Sequence, residues 1–98
     1  MHYGFKDKEL DQLDTDPKFN GGYSEAIVRG FRRRMQQIRS AFDERDFYAQ
    51  KSLHFEKLKG DRSHQHSMKI NKQWRLILEL HGEGSSKMVL IVGIEDYH

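Results

Sequence analysis

The hydrophobic pattern of the chain changes its period halfway along, and this change limits the folds that the sequence can adopt. In the first half, apolar residues recur every three or four positions, which is the spacing of one face of an α-helix. Ser24 suits a helix N-cap and Glu25 suits the first turn. The pattern therefore predicts one helix over residues 24–47 with an apolar stripe facing a core. The stripe consists of Ile27, Phe31, Met35, Ile38 and Phe42.

The second half of the chain has the pattern of β-strands, which are predicted over residues 53–58, 64–70, 73–81 and 87–94. Trp74, Leu76, Leu78 and Leu80 alternate with polar residues, as is typical of a half-buried strand. Residues 88–92 are apolar without alternation, so this strand is predicted to be central and covered on both faces. Turns are predicted at Asn71-Lys72 and over residues 81–86.

Two shorter elements are predicted before the long helix. Residues 2–5 form a candidate edge strand, and residues 6–13 form a short helix that ends before Pro17, because the residue preceding a proline is disfavoured in helices. The whole pattern predicts an α+β fold, in which two N-terminal helices pack on a twisted, mainly antiparallel sheet of four to five strands.

Length and composition narrow the range of functions. A chain of 98 residues has room for one domain, residues 1–98, with one modest core, so separate cofactor and substrate domains are excluded. No apolar run approaches the roughly 20 residues that span a bilayer, and residues 1–6 contain no apolar signal region. The absence of cysteine suits a reducing compartment. We therefore predict a cytoplasmic protein without a membrane partner.

The distribution of charge is more informative than its sum, because a net charge of +2 is too small to indicate a nucleic-acid partner. The long predicted helix carries a basic series with no acid within it. A solvated helix face is the simplest interpretation of this series, and contact with RNA phosphates or with an acidic partner segment is the functional one. The series consists of Arg29, Arg32, Arg33, Arg34 and Arg39.

Three polar features are poorly explained as parts of a core. The first is the basic turn Lys59-Gly60-Asp61-Arg62, and the second is the segment Glu95-Asp96-Tyr97-His98, which follows the most apolar strand. The third is Arg75, directly after Trp74 and on the face opposite the core. Taken singly, each has a plain structural interpretation: a charged hairpin turn, a polar tail and a strand arginine in a salt bridge.

Taken together, the three features suit the cleavage of RNA by its own 2′-hydroxyl, which attacks the adjacent phosphorus without a metal. This reaction needs a base for the hydroxyl, an acid for the leaving 5′-oxygen and cations for the charge of the transition state. His98 is a candidate for proton exchange, since histidine has an ordinary pKa of about 6.5. Asp96 can orient that ring or act as a base, and Tyr97 can stack on a base or bind phosphate. The candidates for holding phosphate are Lys59, Arg62 and Arg75.

At these residues the sequence resembles a known family. The motifs are Leu58-Lys59-Gly60-Asp61-Arg62, then Asn71 to Trp74-Arg75, then Asp96-Tyr97-His98. Their order and spacing resemble the HigB-type plasmid maintenance killer branch of the RelE/ParE toxins. The resemblance is close from about residue 53 onward, whereas before that residue it extends only to the length and layout of the helices. The resemblance implies a RelE-like α+β fold and metal-independent cleavage of mRNA in the ribosomal A site of a bacterial cell. It also implies inhibition by a HigA-like helix-turn-helix antitoxin. Contact with ribosomal RNA is instead the functional interpretation of the basic series in the long helix.

The resemblance also assigns roles to individual residues. Lys59 matches a motif lysine that contacts phosphate, and Arg75 matches an arginine that stabilises transition-state charge. Asp96, Tyr97 and His98 match the terminal catalytic group. No cofactor and no metal are implied.

One position departs from the family pattern. Some members carry a catalytic histidine two residues before the motif leucine, where this chain has Glu56. His54 lies two positions further back, and in a strand it would point to the same side as Glu56. Three alternatives follow. Glu56 acts as the acid–base group, or His54 does so or binds substrate after a shift in register, or neither residue has such a role. The positional match favours Glu56.

Two other functions compete with RNA cleavage. A non-enzymatic, ParE-like inhibitor of DNA gyrase is the alternative on the same fold, although the Asp-Tyr-His terminus is not expected there. A binding module that has lost its activity is the third, because of the substitution at Glu56. His64 and His66 are predicted to share one strand face and to have a structural role, since no further ligand completes a zinc site.

Overall fold

The computed structural model of the chain describes residues 1–97 and contains three α-helices and five strands. The helices are α1 (Lys8–Thr15), α2 (Glu25–Ser40) and α3 (Arg45–Ala49). The strands are β1 (His2–Phe5), β2 (Glu56–Lys57), β3 (His66–Lys69), β4 (Trp74–His81) and β5 (Met88–Asp96). Short 3₁₀ turns lie at Lys51–Leu53, Gly60–Arg62 and Gly84–Ser86.

The five strands form one mixed sheet in the order β1-β5-β4-β3-β2. β1 runs parallel to β5, and the other neighbouring pairs are antiparallel. The register between β4 and β5 shifts after the pair Ile77–Gly93, because Leu78 is opposite Ile91 and Val92 is left without a partner in β4. The predicted α+β class, the edge strand at residues 2–5 and the mainly antiparallel sheet are confirmed.

The core lies between α1, α2 and one face of the sheet. From α2 it takes Ile27, Phe31, Met35 and Ile38, as the helical stripe predicts. Ser24 caps this helix by accepting a hydrogen bond from the backbone N–H of Ile27 (3.3 Å). Strand residues that point toward the helices complete the core: Met68, Leu76, Leu78, Val89, Ile91 and Ile94.

The prediction of a single helix over residues 24–47 is wrong. α2 ends at Ser40, Ala41 is extended, and Phe42, predicted to be in the core, is 85% exposed. The Asp46 carboxylate accepts a hydrogen bond from the Phe42 backbone N–H (2.7 Å), and Asp43 accepts one from that of Arg45 (2.9 Å). Short acidic side chains thus bind backbone groups that a continuous helix would use, and a separate helix α3 follows.

Other details of the helices and strands also differ from the predictions. The short first helix begins at Lys8 instead of residue 6, because the Asp7 carboxylate caps it by accepting from the Leu10 N–H (2.9 Å). The strand predicted at 53–58 is reduced to Glu56–Lys57. β5 lies inside the sheet, as predicted, but it is not covered on both faces. Val89, Ile91 and Ile94 are buried, whereas residues 90, 92 and 93 are only half-buried.

Gly30 lies in α2 where the helix approaches the end of β3 most closely. A Cβ atom on Gly30 would lie 2.6 Å from Ile70 Cγ2 and 3.3 Å from the Ile70 carbonyl oxygen. We expect Gly30→Ala to lower the free energy of unfolding by about 1 kcal/mol or more, because overpacking outweighs the gain of about 0.5–1 kcal/mol in helix propensity.

Thermal unfolding measures this effect. Gln36→Ala, at an exposed position of the same helix, is the control and should change the melting temperature little. Ile70→Ala removes the clashing methyl group, so Gly30→Ala should lower the melting temperature less in that variant than in the wild type. An increase in stability from Gly30→Ala alone would contradict the packing described for this helix.

Candidate active site

Strand alternation divides β4 between two environments. Leu76 and Leu78 point into the helix-covered core, so Arg75 and Ile77 point to the opposite face of the sheet. On that face Arg75 stands directly opposite Glu95 of β5. Ser67 of β3 lies on the other side of Arg75 and is fully buried. The side of Arg75 predicted from the sequence is therefore confirmed, but this arginine is buried and not solvated.

The Arg75 guanidinium is held by hydrogen bonds on one edge. Its Nη2 donates to the His54 carbonyl oxygen (2.8 Å), to Ser67 Oγ (2.8 Å) and to Glu56 Oε1 (3.0 Å). Its Nε donates to Ser67 Oγ (3.2 Å). Because Ser67 and His54 belong to two different segments of the chain, the guanidinium is fixed in one orientation.

Glu56 and Tyr97 approach the same guanidinium from different directions. The Glu56 carboxylate forms an ion pair with Nη2, and its side chain is about half exposed (52%). The Tyr97 ring lies against the guanidinium, with Arg75 Cζ 4.9 Å from the ring centroid, which is cation–π geometry. The Tyr97 N–H donates to the Gln73 carbonyl oxygen, so the β4–β5 ladder carries Tyr97 to this position.

The Nη1 group of the Arg75 guanidinium is left unpaired within residues 1–97, although only 7% of the side chain is exposed. Nη1 makes no hydrogen bond to any residue from 1 to 97, whereas Nε and Nη2 are both occupied. An arginine that is fixed on one edge and open on the other presents its two Nη1 protons in a set direction. Such a group is suited to a phosphate oxygen or to the charge that develops on phosphorus.

The basic turn at residues 59–62 is attached to the same face of the sheet. Arg62 binds Glu95 with two parallel hydrogen bonds, Nη1 to Oε1 (2.9 Å) and Nη2 to Oε2 (2.7 Å). These hydrogen bonds raise the pKa of Arg62. The Lys59 side chain is exposed, and within residues 1–97 its ammonium group forms no ion pair. The predicted phosphate ligands thus differ: Lys59 is available, and Arg62 is already paired.

Asp96 is placed apart from this cluster. It stands opposite Trp74 in the β4–β5 ladder, so alternation directs it to the other side of the sheet from Arg75. Its Oδ2 accepts a hydrogen bond from the Gln73 amide nitrogen (3.1 Å). His98, the third member of the predicted terminal group, lies outside the described residues. Of the terminal group, Tyr97 is therefore the residue that the described structure brings to Arg75.

His54 contributes its backbone to the cluster and does not follow strand geometry. The residue ends the 3₁₀ turn Lys51–Leu53 with a left-handed backbone (φ 47°, ψ 47°). The prediction that His54 and Glu56 share one strand face is wrong, because the strand begins only at Glu56. The left-handed residue turns the His54 carbonyl toward Arg75, and Glu56 is the side chain that reaches the guanidinium.

Sequence reasoning missed Glu95 and Ser67 as members of this site. The signal for Glu95 is present in the sequence, since residues 95 and 97 share one strand face if the last strand continues to residue 96. Treating Asp96, Tyr97 and His98 as one group ignored this alternation. Ser67 carries no comparable signal, because its importance comes from its position beside Arg75 in the sheet.

His64 and His66 do not share a strand face as predicted. His66 is in β3 and stacks on Phe55 (ring centroids 4.9 Å, interplanar angle 8°), whereas His64 precedes the strand, with its Nε2 3.8 Å from Glu79. Among residues 1–97, no group of three or more His, Asp or Glu side chains is arranged to hold a metal ion.

The environment of His66 predicts a pH dependence of stability. Burial, followed by the charge of Lys57, lowers the pKa of His66, and its Nδ1 has no hydrogen-bond partner within the described chain. Because the folded-state pKa lies below the unfolded one of about 6.5, the unfolded chain binds the proton first as pH falls. The stabilising contribution of neutral His66 is therefore present above about pH 6.5 and is lost as pH falls through the folded-state pKa.

Denaturant unfolding between pH 8 and pH 5 tests this expectation. The wild type should lose more stability over this range than His66→Leu, which keeps an apolar group against Phe55. Equal pH slopes for the two proteins would show that His66 does not titrate differently in the folded and unfolded states.

Comparison with known proteins decides the family. A family model described as the RelE-like toxin of the type II toxin-antitoxin system HigB matches residues 3–98. The chain belongs to the HigB-like toxin family. As a HigB-like protein it is the toxin of a type II toxin-antitoxin system, which implies an antitoxin as its partner. The resemblance found in the motifs at residues 58–62, 71–75 and 96–98 is thus confirmed.

Solved structures support the fold of this HigB-like toxin. The chain is similar to a YoeB/ParE toxin from Agrobacterium tumefaciens, with a TM-score of 0.57, 16% sequence identity and 100% of both chains covered. At this identity the similarity shows the fold alone. The search of curated proteins gives no match. Within residues 1–97, no helix has the length and apolar character required to cross a membrane.

Proposed function

We propose that this HigB-like toxin is a metal-independent endoribonuclease that cleaves mRNA in the ribosomal A site. The observation that carries the proposal is the Arg75 guanidinium, fixed on one edge and open at Nη1, with Glu56 and Tyr97 in contact with it. This arrangement combines a cation for phosphate, a carboxylate for a proton and an aromatic ring for a base. Membership of the HigB-like family supports the same activity.

In the proposed reaction the RNA supplies its own nucleophile. The Glu56 carboxylate takes the proton of a 2′-hydroxyl, whose oxygen bonds to the adjacent phosphorus while the bond from phosphorus to the 5′-oxygen breaks. Arg75 Nη1 and Lys59 stabilise the negative charge on the phosphoryl oxygens. His98 donates a proton to the leaving 5′-oxygen. The products carry a 2′,3′-cyclic phosphate and a 5′-hydroxyl.

Tyr97 and Asp96 have supporting roles in this proposal. Tyr97 is half exposed and lies on the guanidinium, so its free surface can stack on a nucleotide base of the substrate. Asp96 is directed away from Arg75, and its proposed role is to orient the His98 ring. His54 acts through its carbonyl oxygen, which holds Arg75 in place.

The proposed partners are a HigA-like helix-turn-helix antitoxin, the mRNA and ribosomal RNA, within the bacterial cytoplasm. The basic series of α2 contributes less to RNA binding than its composition indicates. Arg32 donates to the carbonyl oxygens of Leu13, Asp16 and Phe19, and the buried Arg34 donates to that of Lys69. These two arginines stabilise the fold. Of the other three in the series, Arg29 is paired with Glu25 and Arg39 with Asp14.

Expression in a bacterial cell tests the proposed function. The wild-type chain should arrest growth and shorten mRNAs, and Tyr97→Ala and His98→Ala should abolish both effects while still folding. Phe42→Ala, which removes an exposed aromatic side chain from the segment between α2 and α3, is the control. Full toxicity of both site variants would show that the assignment is wrong. Growth arrest with intact mRNA and trapped gyrase–DNA cleavage complexes would favour the ParE-like alternative instead.

A further inference from the structure

The turn at residues 59–62 is attached to the sheet by Arg62, each of whose three guanidinium nitrogens donates to another side chain. Nη1 and Nη2 bind the two oxygens of Glu95, and Nε donates to Gln65 Oε1 (3.0 Å). Gln65 is buried and in turn donates to Glu79 Oε2 (3.2 Å). A guanidinium with all three nitrogens bonded to the protein acts as an anchor, and the edge that would bind a phosphate through Nη1 and Nη2 is occupied by Glu95.

Glu95 stands at the centre of this attachment. It is the cross-strand neighbour of Arg75, so the Cβ atoms of the two residues are expected to be about 5 Å apart. The same carboxylate holds Arg62, which lies three residues after Lys59. Glu95 therefore links the turn that carries Lys59 to the strand pair that carries Arg75.

Apart from this pair, the turn is held at its base, where the Leu58 N–H donates to the Gln65 carbonyl oxygen (2.9 Å) beside the β2–β3 ladder. It is a single 3₁₀ turn, its residues are exposed, and Gly60 has a positive φ of 66°. Its internal hydrogen bonds run from the Ser63 N–H to the Gly60 carbonyl (3.1 Å) and from the Gln65 N–H to the Arg62 carbonyl (2.8 Å). These bonds shape the turn but do not join it to β5, whereas the Arg62–Glu95 pair does.

We infer that Glu95 is a positioning residue: through its bidentate ion pair with Arg62 it holds the Lys59 turn beside Arg75. Arg62, which the sequence suggested as a phosphate ligand, is the other half of this anchor. The effect on RNA cleavage rests on the proposed function, whereas the effect on the turn does not.

Two measurements on Glu95→Gln, Arg62→Gln and the double variant test the inference. The first is amide hydrogen exchange by NMR at Ser63 and Gln65, which should become about threefold to fivefold faster in all three variants, as expected for losing one exposed ion pair. Amides of β4 should not change. The control is the bidentate pair of Asp43 and Arg45, whose loss through Asp43→Asn should leave exchange at the turn unaltered.

The second measurement is kcat/KM for mRNA cleavage at a temperature at which every variant is folded. Because each substitution breaks the same ion pair, both single variants and the double variant should lose activity equally, by about tenfold, and the shape of the pH profile should not change. A purely structural role would leave the activity of the folded fraction unaltered.

The outcomes separate this inference from the proposed function. Unchanged exchange at Ser63 and Gln65 overturns the positioning role, as do losses that add in the double variant. The disappearance of one limb of the pH–rate profile in Glu95→Gln would also overturn the positioning role, because it would indicate that Glu95 is an acid–base catalyst. A wild-type protein that cleaves no mRNA would refute the proposed function, and hydrogen exchange would still decide whether Glu95 positions the turn.

Discussion

We expect Arg75→Lys to cleave mRNA roughly 100 to 1,000 times more slowly than the wild type, the range found when a preorganised transition-state donor is removed. Lysine keeps the charge, but its single nitrogen cannot bind Ser67, Glu56 and the His54 carbonyl and still present a second edge to the phosphate. The loss should appear in kcat, since the open Nη1 edge is proposed to act on charge that develops during the reaction.

The measurement is single-turnover cleavage on translating ribosomes, with circular dichroism to show that the variant is folded. Arg45→Lys is the matched control, because Arg45 also binds a carboxylate through two nitrogens but its side chain is exposed on helix α3. A folded Arg75→Lys protein with near wild-type kcat would remove Arg75 from the chemistry. An equal loss in Arg45→Lys would point to a nonspecific effect of removing an arginine.

The second large effect is expected for Glu56→Gln, which should slow cleavage on the order of 100-fold, the scale of general acid–base catalysis. The substitution is nearly isosteric, and the amide oxygen can still accept the hydrogen bond from Arg75 Nη2. The fold and the orientation of Arg75 should therefore persist, while the proton acceptor is lost. The acidic limb of the pH–rate profile should disappear with it.

The outcome of Glu56→Gln resolves the departure from the family pattern. If Glu56 only orients Arg75, the glutamine variant should retain most of the activity and an unchanged pH profile. If His54→Asn causes the loss instead, the imidazole carries the role, although the structure shows only the backbone of His54 in contact with Arg75. Asparagine is chosen there because it tolerates a left-handed backbone well.

The fold could be predicted from the sequence wherever a single periodicity decided the structure. Ile27, Phe31, Met35 and Ile38 form the buried stripe of α2, and Leu76 and Leu78 form the core side of β4. Phe42 continues the helical spacing but is exposed. Periodicity carries no information on the hydrogen bond from its N–H to Asp46, which helps to separate α3 from α2.

The residue types of the candidate site could be proposed from the sequence, but their pairings could not. The sequence indicated Arg75, Glu56, Tyr97 and Lys59, and the structure shows the first three in contact. The sequence could not show that Arg62 is an anchor, because the pairing of Arg62 with Glu95 depends on the strand register that places Glu95 beside Arg75. Long-range strand pairing decides which polar residues meet, and spacing along the chain does not reveal it.

The measurement that tests the central claim most directly is cleavage of an mRNA with a single 2′-deoxy nucleotide at the cut position, compared with the all-ribose mRNA on translating ribosomes. We expect the purified toxin to cut the all-ribose mRNA to a 2′,3′-cyclic phosphate and a 5′-hydroxyl, and to leave the 2′-deoxy position intact. Cleavage of the 2′-deoxy mRNA at the same rate, or an all-ribose mRNA that remains whole, would contradict it.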